Sequence, residues 1–336
     1  MQKVFLTGAG GFLGKYLIKR LVKDGYEVHA LYTSEENNKQ KRKPGGIKEK
    51  YVADLRDYGD IKTIIRALEP DFIIHLAART EVEKSFYDPI EFSEVNYCGT
   101  VNLIEVAKDL KNLKLFLFSS TMETYGWTAI SETIEKGERN FLPEPFTERT
   151  YQRPNAPYAV AKLACEKYLG YAQRAYHFPY CVLRQTNTYG RWDNDFFVVE
   201  QIITQMLKNP DKIELGYGKP YRNFLFVDDL INLYSVVLQK YEDAKFNVFC
   251  TGPSNALSIE SLVESIAEKL DWEGDVVWDT KPKRVGEIFY LNSTNEKVTR
   301  VLGWKPKVGL SEGLDKTIRI WKDNLRKTNE LATRYR

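Results

Sequence analysis

The chain has little of what marks a metal site, a secreted scaffold or a membrane span. Its 336 residues include 4 cysteines and 3 histidines. Cys98, Cys165, Cys181 and Cys250 are scattered without the paired spacing of a zinc or iron–sulfur site, and the histidines form no cluster, so no metal is expected. Unpaired, buried thiols suit a reducing compartment. No apolar run approaches the roughly 18–20 residues that would cross a bilayer. There is no internal repeat and no low-complexity tract. A net charge of +3, with no aromatic-plus-basic pattern, argues against a nucleic-acid partner. The run Lys39-Gln-Lys41-Arg42-Lys43 reads as a solvated loop. The first residues lead straight into a strand, so no signal peptide is expected and the expected location is cytoplasmic. With 43% hydrophobic and 28% charged residues, this is the composition of a soluble globule. The length allows one large or two modest domains.

What is present begins at residue 4. Val4-Phe5-Leu6-Thr7 reads as a strand, Gly8-Ala-Gly10-Gly11-Phe-Leu-Gly14 as a tight turn, and the residues to Lys23 as an amphipathic helix. Asp24-Gly25 closes that helix, and Glu27 to Tyr32 is a second strand. Glycines between a strand and a helix let the backbone approach a pyrophosphate, which then sits at the helix N-terminus. The position opening a βαβ unit makes dinucleotide binding the reading here. The end of the second strand selects between cofactors. Leu31-Tyr32-Thr33-Ser34 carries no acid to hold a ribose diol, and hydroxyls such as that of Thr33 can donate to a 2′-phosphate, while Glu35 and Glu36 argue the other way. The cofactor is read as NAD or NADP, with the balance tipping to NADP.

A second signal is Tyr158-Ala-Val-Ala-Lys162, two functional side chains on one helical face. A phenol is a poor base at neutral pH, and an ammonium one turn away favours the phenolate. Pro157 suits the first helical turn, where a missing N–H costs least. The segment Ile130 to Asn155, with three prolines and many charges, reads as a surface excursion before this helix. Tyr180 to Arg184 and Phe246 to Gly252 read as strands, Phe196 to Leu207 as a helix, and Ser258 as the cap of another.

The glycine spacing Gly8, Gly11, Gly14 together with Tyr158 and Lys162 resembles the extended short-chain dehydrogenase/reductase family, nucleotide-sugar epimerase/dehydratase group. The resemblance implies a Rossmann-type doubly wound parallel sheet, an α/β fold, with a smaller and discontinuous C-terminal substrate lobe. The expected division is a cofactor domain over 1–187, joined by segments near 222–252, and a nucleotide-sugar lobe mainly over 188–336. The resemblance further implies cofactor contacts from Phe12 and Leu13 in the glycine turn and from Asp54 and Leu55 at the adenine. Leu76, Ala77 and Ala78 follow the strand ending at His75; His75 itself reads as a core residue rather than a catalyst. Asn96 and Ser119 also fall where the family contacts its cofactor. Arg79 begins a loop that would line the substrate cleft, and Asn187, Arg222 and Arg284 occupy places where relatives hold the diphosphate; arginine suits phosphate because its fork donates in pairs. A homodimer built on the helix after Asn96 (Val101, Leu103, Ile104, Val106) and the Tyr158 helix (Leu163, Tyr168, Leu169) is expected, with a nucleoside diphosphate sugar as substrate and no membrane partner.

In this group the reaction begins by oxidising a sugar hydroxyl, usually at C4. Tyr158 would be the base, Lys162 its partner, and Thr121 a hydrogen bond to the same hydroxyl. Thr121-Met122-Glu123 then bears on the fate of the oxidised sugar. Sugar-nucleotide 4,6-dehydratases carry a Glu at the third place, which removes the C5 proton, so Glu123 favours a dehydratase. Met122 departs from that pattern, since a thioether cannot protonate a departing oxygen. The alternatives are an NDP-sugar 4-epimerase, a UDP-glucuronate decarboxylase and, from another class, a non-catalytic cofactor-binding protein.

Overall fold

The computed structural model describes residues 1–34, 45–127, 136, 142–283 and 286–334, with side chains as far as Lys327. Glu35, Glu36, the basic run at 39–43 and Arg284 lie outside the described residues.

Short apolar runs alternate with amphipathic helices through the first half of the chain, and this alternation builds the main sheet. Its strands are β1 (Lys3–Thr7), β2 (Glu27–Tyr32), β3 (Ile47–Val52), β4 (Phe72–His75), β5 (Leu115–Thr121), β6 (Tyr180–Gln185) and, much later, β11 (Asn247–Cys250). Among the described residues they form a seven-stranded parallel sheet in the order β11-β6-β5-β4-β1-β2-β3. The chain switches direction between β1 and β4, the topological position at which such sheets bind ligands beyond their carboxyl ends.

Both faces of the sheet are covered, and side-chain alternation divides the core in two. Val4, Leu6, Phe72, Ile74, Leu115, Leu117 and Leu183 pack with α1 (Phe12–Lys23) and with a helix from the later chain, Val227–Gln239. Phe5, Ile73, Phe116, Phe118 and Val182 pack instead with α2 (Tyr58–Leu68), α3 (Gly99–Ala107) and α4 (Pro157–Tyr176). Near-continuous apolar strands are what a sheet buried on both faces requires. Of the residues expected to face a second copy of the chain, Leu103, Ile104, Val106 and Leu169 are 0–1% exposed and cover the sheet, while Val101, Leu163 and Tyr168 are half-buried.

The remaining chain forms a second lobe from small pieces: β7 (Asn187–Tyr189) with β10 (Phe224–Phe226), β8 (Lys212–Glu214) with β13 (Asp275–Val277), and β9 (Tyr221–Arg222) between β12 (Leu257–Ser258) and β14 (Tyr290–Leu291). The longer helices here are α5 (Val198–Lys208), α6 (Val227–Gln239, returning to the main sheet), α7 (Ile259–Leu270) and α8 (Leu310–Arg334). Ser258 caps α7 by accepting from the Ser261 amide at 3.0 Å, as expected. Among the boundaries that differ from the sequence reading are two starts. Helix α5 starts at Val198, since the Phe196 amide is bound by the Asn194 side chain and Phe197 is the extended cap. Strand β11 begins at Asn247, because Phe246 has φ +60° and breaks the extended run.

Candidate active site

Two chain reversals meet where β1 and β4 end. Gly8 has φ +69°, and a Cβ there would lie 2.7 Å from the Ala77 amide nitrogen. A Cβ on Gly14 would lie 2.7 Å from Ala9 Cα. Both glycines are therefore demanded by close packing of the chain on itself. Gly11 is different, since its Cβ would meet only the Gly8 carbonyl oxygen, at 3.3 Å. Gly11 is also the cap residue of α1, with no side chain to bind the first-turn amides of Phe12 and Leu13. An open approach to uncapped helix amides fits a pyrophosphate, and the residues present match that group. Ala77 N donates to Thr7 Oγ1 at 3.2 Å, tying the second reversal to the first, with Leu76 and Ala78 on either side.

Other expected cofactor residues turn out to be committed within the chain. Asn96 grips the Arg79 backbone from both ends of its amide, Oδ1 accepting from Arg79 N at 2.8 Å and Nδ2 donating to Arg79 O at 2.9 Å. It thereby fixes the loop after β4. Asp54 caps its own turn through the Arg56 amide and pairs with the Arg56 guanidinium at 2.6 Å, which holds its carboxyl below the usual range. Leu55 is buried in the core, and Thr33 is exposed at the end of β2. His75 is a core residue as expected: Thr7 and Thr100 hydroxyls bind its two ring nitrogens at 2.7 and 2.8 Å, and burial pushes its pKa down to about 3.

Beyond β5 the chain turns through a 3₁₀ segment, Met122–Tyr125, whose cap is Thr121; the Glu123 amide donates to Thr121 Oγ1 at 3.1 Å. This turn is laced to the approach of α4. Trp127 N donates to Arg153 O at 3.1 Å and Arg153 N to Tyr125 O at 3.2 Å. Gly126 between them has φ +58°, and a Cβ there would collide with the Arg153 carbonyl. The lacing brings together Thr121, Glu123, Tyr158 and Lys162. Tyr158 feels both the Thr121 side chain and the Glu123 carboxylate. Lys162 Nζ donates to the Ser119 carbonyl at 2.8 Å and sits 4.8 Å from the centre of the Phe118 ring.

The electrostatics correct one expectation. Burial first, and the Glu123 carboxylate second, push the Tyr158 phenol up, with only the Thr121 side chain opposing. Lys162, buried and turned toward Ser119, does not lower it, and its own pKa falls to about 8 through burial. Met122 points the other way from its neighbours, 2% exposed among Tyr125, Phe146, Cys250 and Tyr290.

Toward the second lobe, Asn187 donates to the Asn223 carbonyl at 3.3 Å. Arg222 is 7% exposed and pairs with Glu287 at 3.0 Å, while Arg79 pairs with Glu91 at 2.7 Å. The sequence reading missed a buried polar group below the turn: Ser120, Tyr125, Glu166 and Arg184. The available signal was the spacing Tyr158, Lys162, Glu166, a polar stripe at every fourth residue of the helix.

Comparison with known proteins agrees with this arrangement. A family model described as GDP-mannose 4,6 dehydratase matches residues 5–317. The dTDP-D-glucose 4,6-dehydratase of Mus musculus is 28% identical over 96% of this chain and 89% of that protein. The UDP-glucose 4-epimerase of Lactobacillus helveticus is 29% identical over 91% of this chain and 92% of its own. Among solved structures, the Thermus thermophilus UDP-glucose 4-epimerase in complex with NAD superposes with a TM-score of 0.81, at 25% identity, covering 96% of this chain and 99% of that one.

Proposed function

The chain belongs to the GDP-mannose 4,6 dehydratase family, whose members include NAD-dependent nucleotide-sugar dehydratases and epimerases, and from that premise we propose that it is an NDP-hexose 4,6-dehydratase. The observation that carries the choice is a carboxylate, Glu123, placed close enough to Tyr158 to raise the phenol's pKa. An epimerase needs no second base beside the first.

Tyr158 takes the proton of the C4 hydroxyl, with Thr121 holding the same oxygen. Bound at Gly8–Gly14, a nicotinamide dinucleotide supplies a hydride acceptor and donor, and NAD is the form held by the Thermus relative. The C4 ketone acidifies the C5 hydrogen, which Glu123 removes. In Met122 the chain has a thioether buried in an apolar cluster, so no acid stands at that position. Glu123 therefore returns the proton it has taken to the C6 oxygen, and the C6–O bond breaks with loss of water. The product would be a 4-keto-6-deoxy sugar with a solvent proton at C5, and Glu123 would be the group that had moved the protons. Arg222, Asn187, Arg79 and Arg284 are read as the side that receives the diphosphate and sugar.

The burial of Met122 favours a 4-epimerase as the second reading. A panel of nucleotide sugars followed by mass spectrometry separates the outcomes: loss of water for the dehydratase, loss of carbon dioxide for a decarboxylase, unchanged mass with altered sugar for an epimerase. No turnover with cofactor bound would indicate a binding protein. In the dehydratase, Glu123→Gln still permits C4 oxidation but slows the overall reaction by about 10²–10⁴-fold, with reduced cofactor accumulating. Normal turnover by that variant, without solvent deuterium entering the sugar, would overturn the assignment.

A further inference from the structure

The last three residues of β5 hold three successive turns of α4. Thr121 lies beside Tyr158, the Ser119 carbonyl binds Lys162, and Ser120 Oγ donates to Glu166 Oε1 at 2.5 Å. Tyr158, Lys162 and Glu166 are four residues apart in turn, so one helical face meets one strand end in register. The first two contacts serve the proposed chemistry. The third is just as buried, Glu166 being 8% exposed, and it is the most heavily bonded of the three. Arg184 on β6 donates to it from Nε at 3.1 Å and from Nη2 at 2.7 Å, and Gln152 Nε2 adds a bond at 3.2 Å. Arg184 in turn donates from Nη1 to Tyr125 OH at 3.0 Å, and Tyr125 closes the turn that carries Glu123.

Resting on the reading of Tyr158 and Lys162 as the reacting pair, we propose that Glu166 is a positioning residue of this site. Through Ser120 and Arg184 it holds the end of β5 against α4, and its carboxylate keeps the neighbouring Lys162 an ammonium ion. A buried carboxylate with both oxygens hydrogen-bonded is costly to assemble, and a merely structural strand-to-helix contact does not require one.

Among the groups facing Lys162, Glu166 is the one carboxylate that raises it, acting with Cys165. On α4 these are Tyr158, Cys165 and Glu166, and burial holds the first two neutral, the thiol being pushed up to about 11. From β4 comes His75, kept neutral by burial. From β5 come only the Ser119 carbonyl and the Phe118 ring. Glu123 acts on Tyr158 on the far side, and Arg184 of β6 lies behind Glu166. Burial lowers Lys162 to about 8, and Cys165 and Glu166 oppose that fall.

These groups set the sign of the pH effect. Lys162 has a lower pKa folded than unfolded, so between about 8 and its ordinary value the unfolded chain holds more protons and stability rises with pH. Removing the Glu166 charge lowers the folded pKa further and starts that rise at lower pH. The experiment is urea unfolding of the whole protein from pH 6 to 10 for wild type, Glu166→Gln and Lys162→Met. All three are compared in a Cys165→Ala/Cys250→Ala background, because Glu166 acts on both thiols and Lys162 on the first. The expected result is a rise displaced about one pH unit downward in Glu166→Gln, equivalent to about tenfold in the unfolding constant at neutral pH, and absent in Lys162→Met. An undisplaced curve in Glu166→Gln overturns the proposal. Should that variant not fold alone, Lys162→Met/Glu166→Gln decides: relief of the defect supports charge pairing with Lys162, and no relief overturns it. None of these readings depends on a substrate. If the curve moves and no nucleotide sugar ever reduces the bound cofactor, the proposed function fails while the pairing stands.

Discussion

The two ends of the cleft are built from different materials. At the proposed cofactor end the working groups are backbone: glycines, helix amides and a neighbouring strand terminus, with Asp54 already matched by Arg56. At the proposed reaction end they are side chains, with Tyr158, Lys162 and Glu166 on one face of α4, Glu123 on the turn after β5 and Arg184 on β6. Backbone donors need only steric room, so this end is set by what side chains are missing. Buried charges need partners, so the reaction end recruits residues from β5, β6 and α4 at once. The first should break through added atoms and the second through altered charge or hydrogen bonding.

The largest effect belongs to the reaction end. Tyr158→Phe removes one hydroxyl and leaves the packing, so folding and cofactor binding should persist while turnover falls by about 10²–10⁴-fold. Single-turnover measurements of C4 oxidation check this, and a loss confined to KM would move the base elsewhere.

The cofactor end offers a sharper contrast between two similar changes. Gly14→Ala places a methyl against Ala9 Cα and should cost about 1–3 kcal/mol of stability, as overpacked sites do. Gly11→Ala meets only one carbonyl oxygen at 3.3 Å, so stability should change by less than about 1 kcal/mol while affinity for the dinucleotide falls, because the methyl occupies the approach to the helix amides. Urea melts and fluorescence titration with reduced cofactor separate the two. Equal effects of both variants on stability would show that Gly11 also serves packing.

The smallest change lies between these ends. Arg222 is held by Glu287 in the second lobe. Arg222→Lys keeps the charge but loses the paired fork, and should raise KM for a nucleotide sugar by about tenfold, the worth of one charge-assisted hydrogen bond, with kcat unchanged. An unchanged KM would remove Arg222 from the diphosphate site.

Some of this was legible from residue order alone. Strand β1, the glycine turn and α1 follow from local rules: an apolar run, glycines and an amphipathic period each act over a few residues. The same holds for the Pro157 start of α4 and the Ser258 cap. The pairing of Tyr158 with Lys162 on one face needed only the helical repeat. Tertiary structure decided the rest. The direction of the Tyr158 shift depends on desolvation and on a carboxylate 35 residues earlier in the chain. Asn96, which reads as a cofactor contact, spends both amide atoms on the Arg79 backbone because a loop from another strand arrives there. Glu166 looked like any helix glutamate until Ser120 and Arg184, from two different strands, closed around it. Local sequence sets the backbone period and hence which side chains share a face. Burial and charge depend on what the rest of the chain brings to that face, and only the assembled layers settle those.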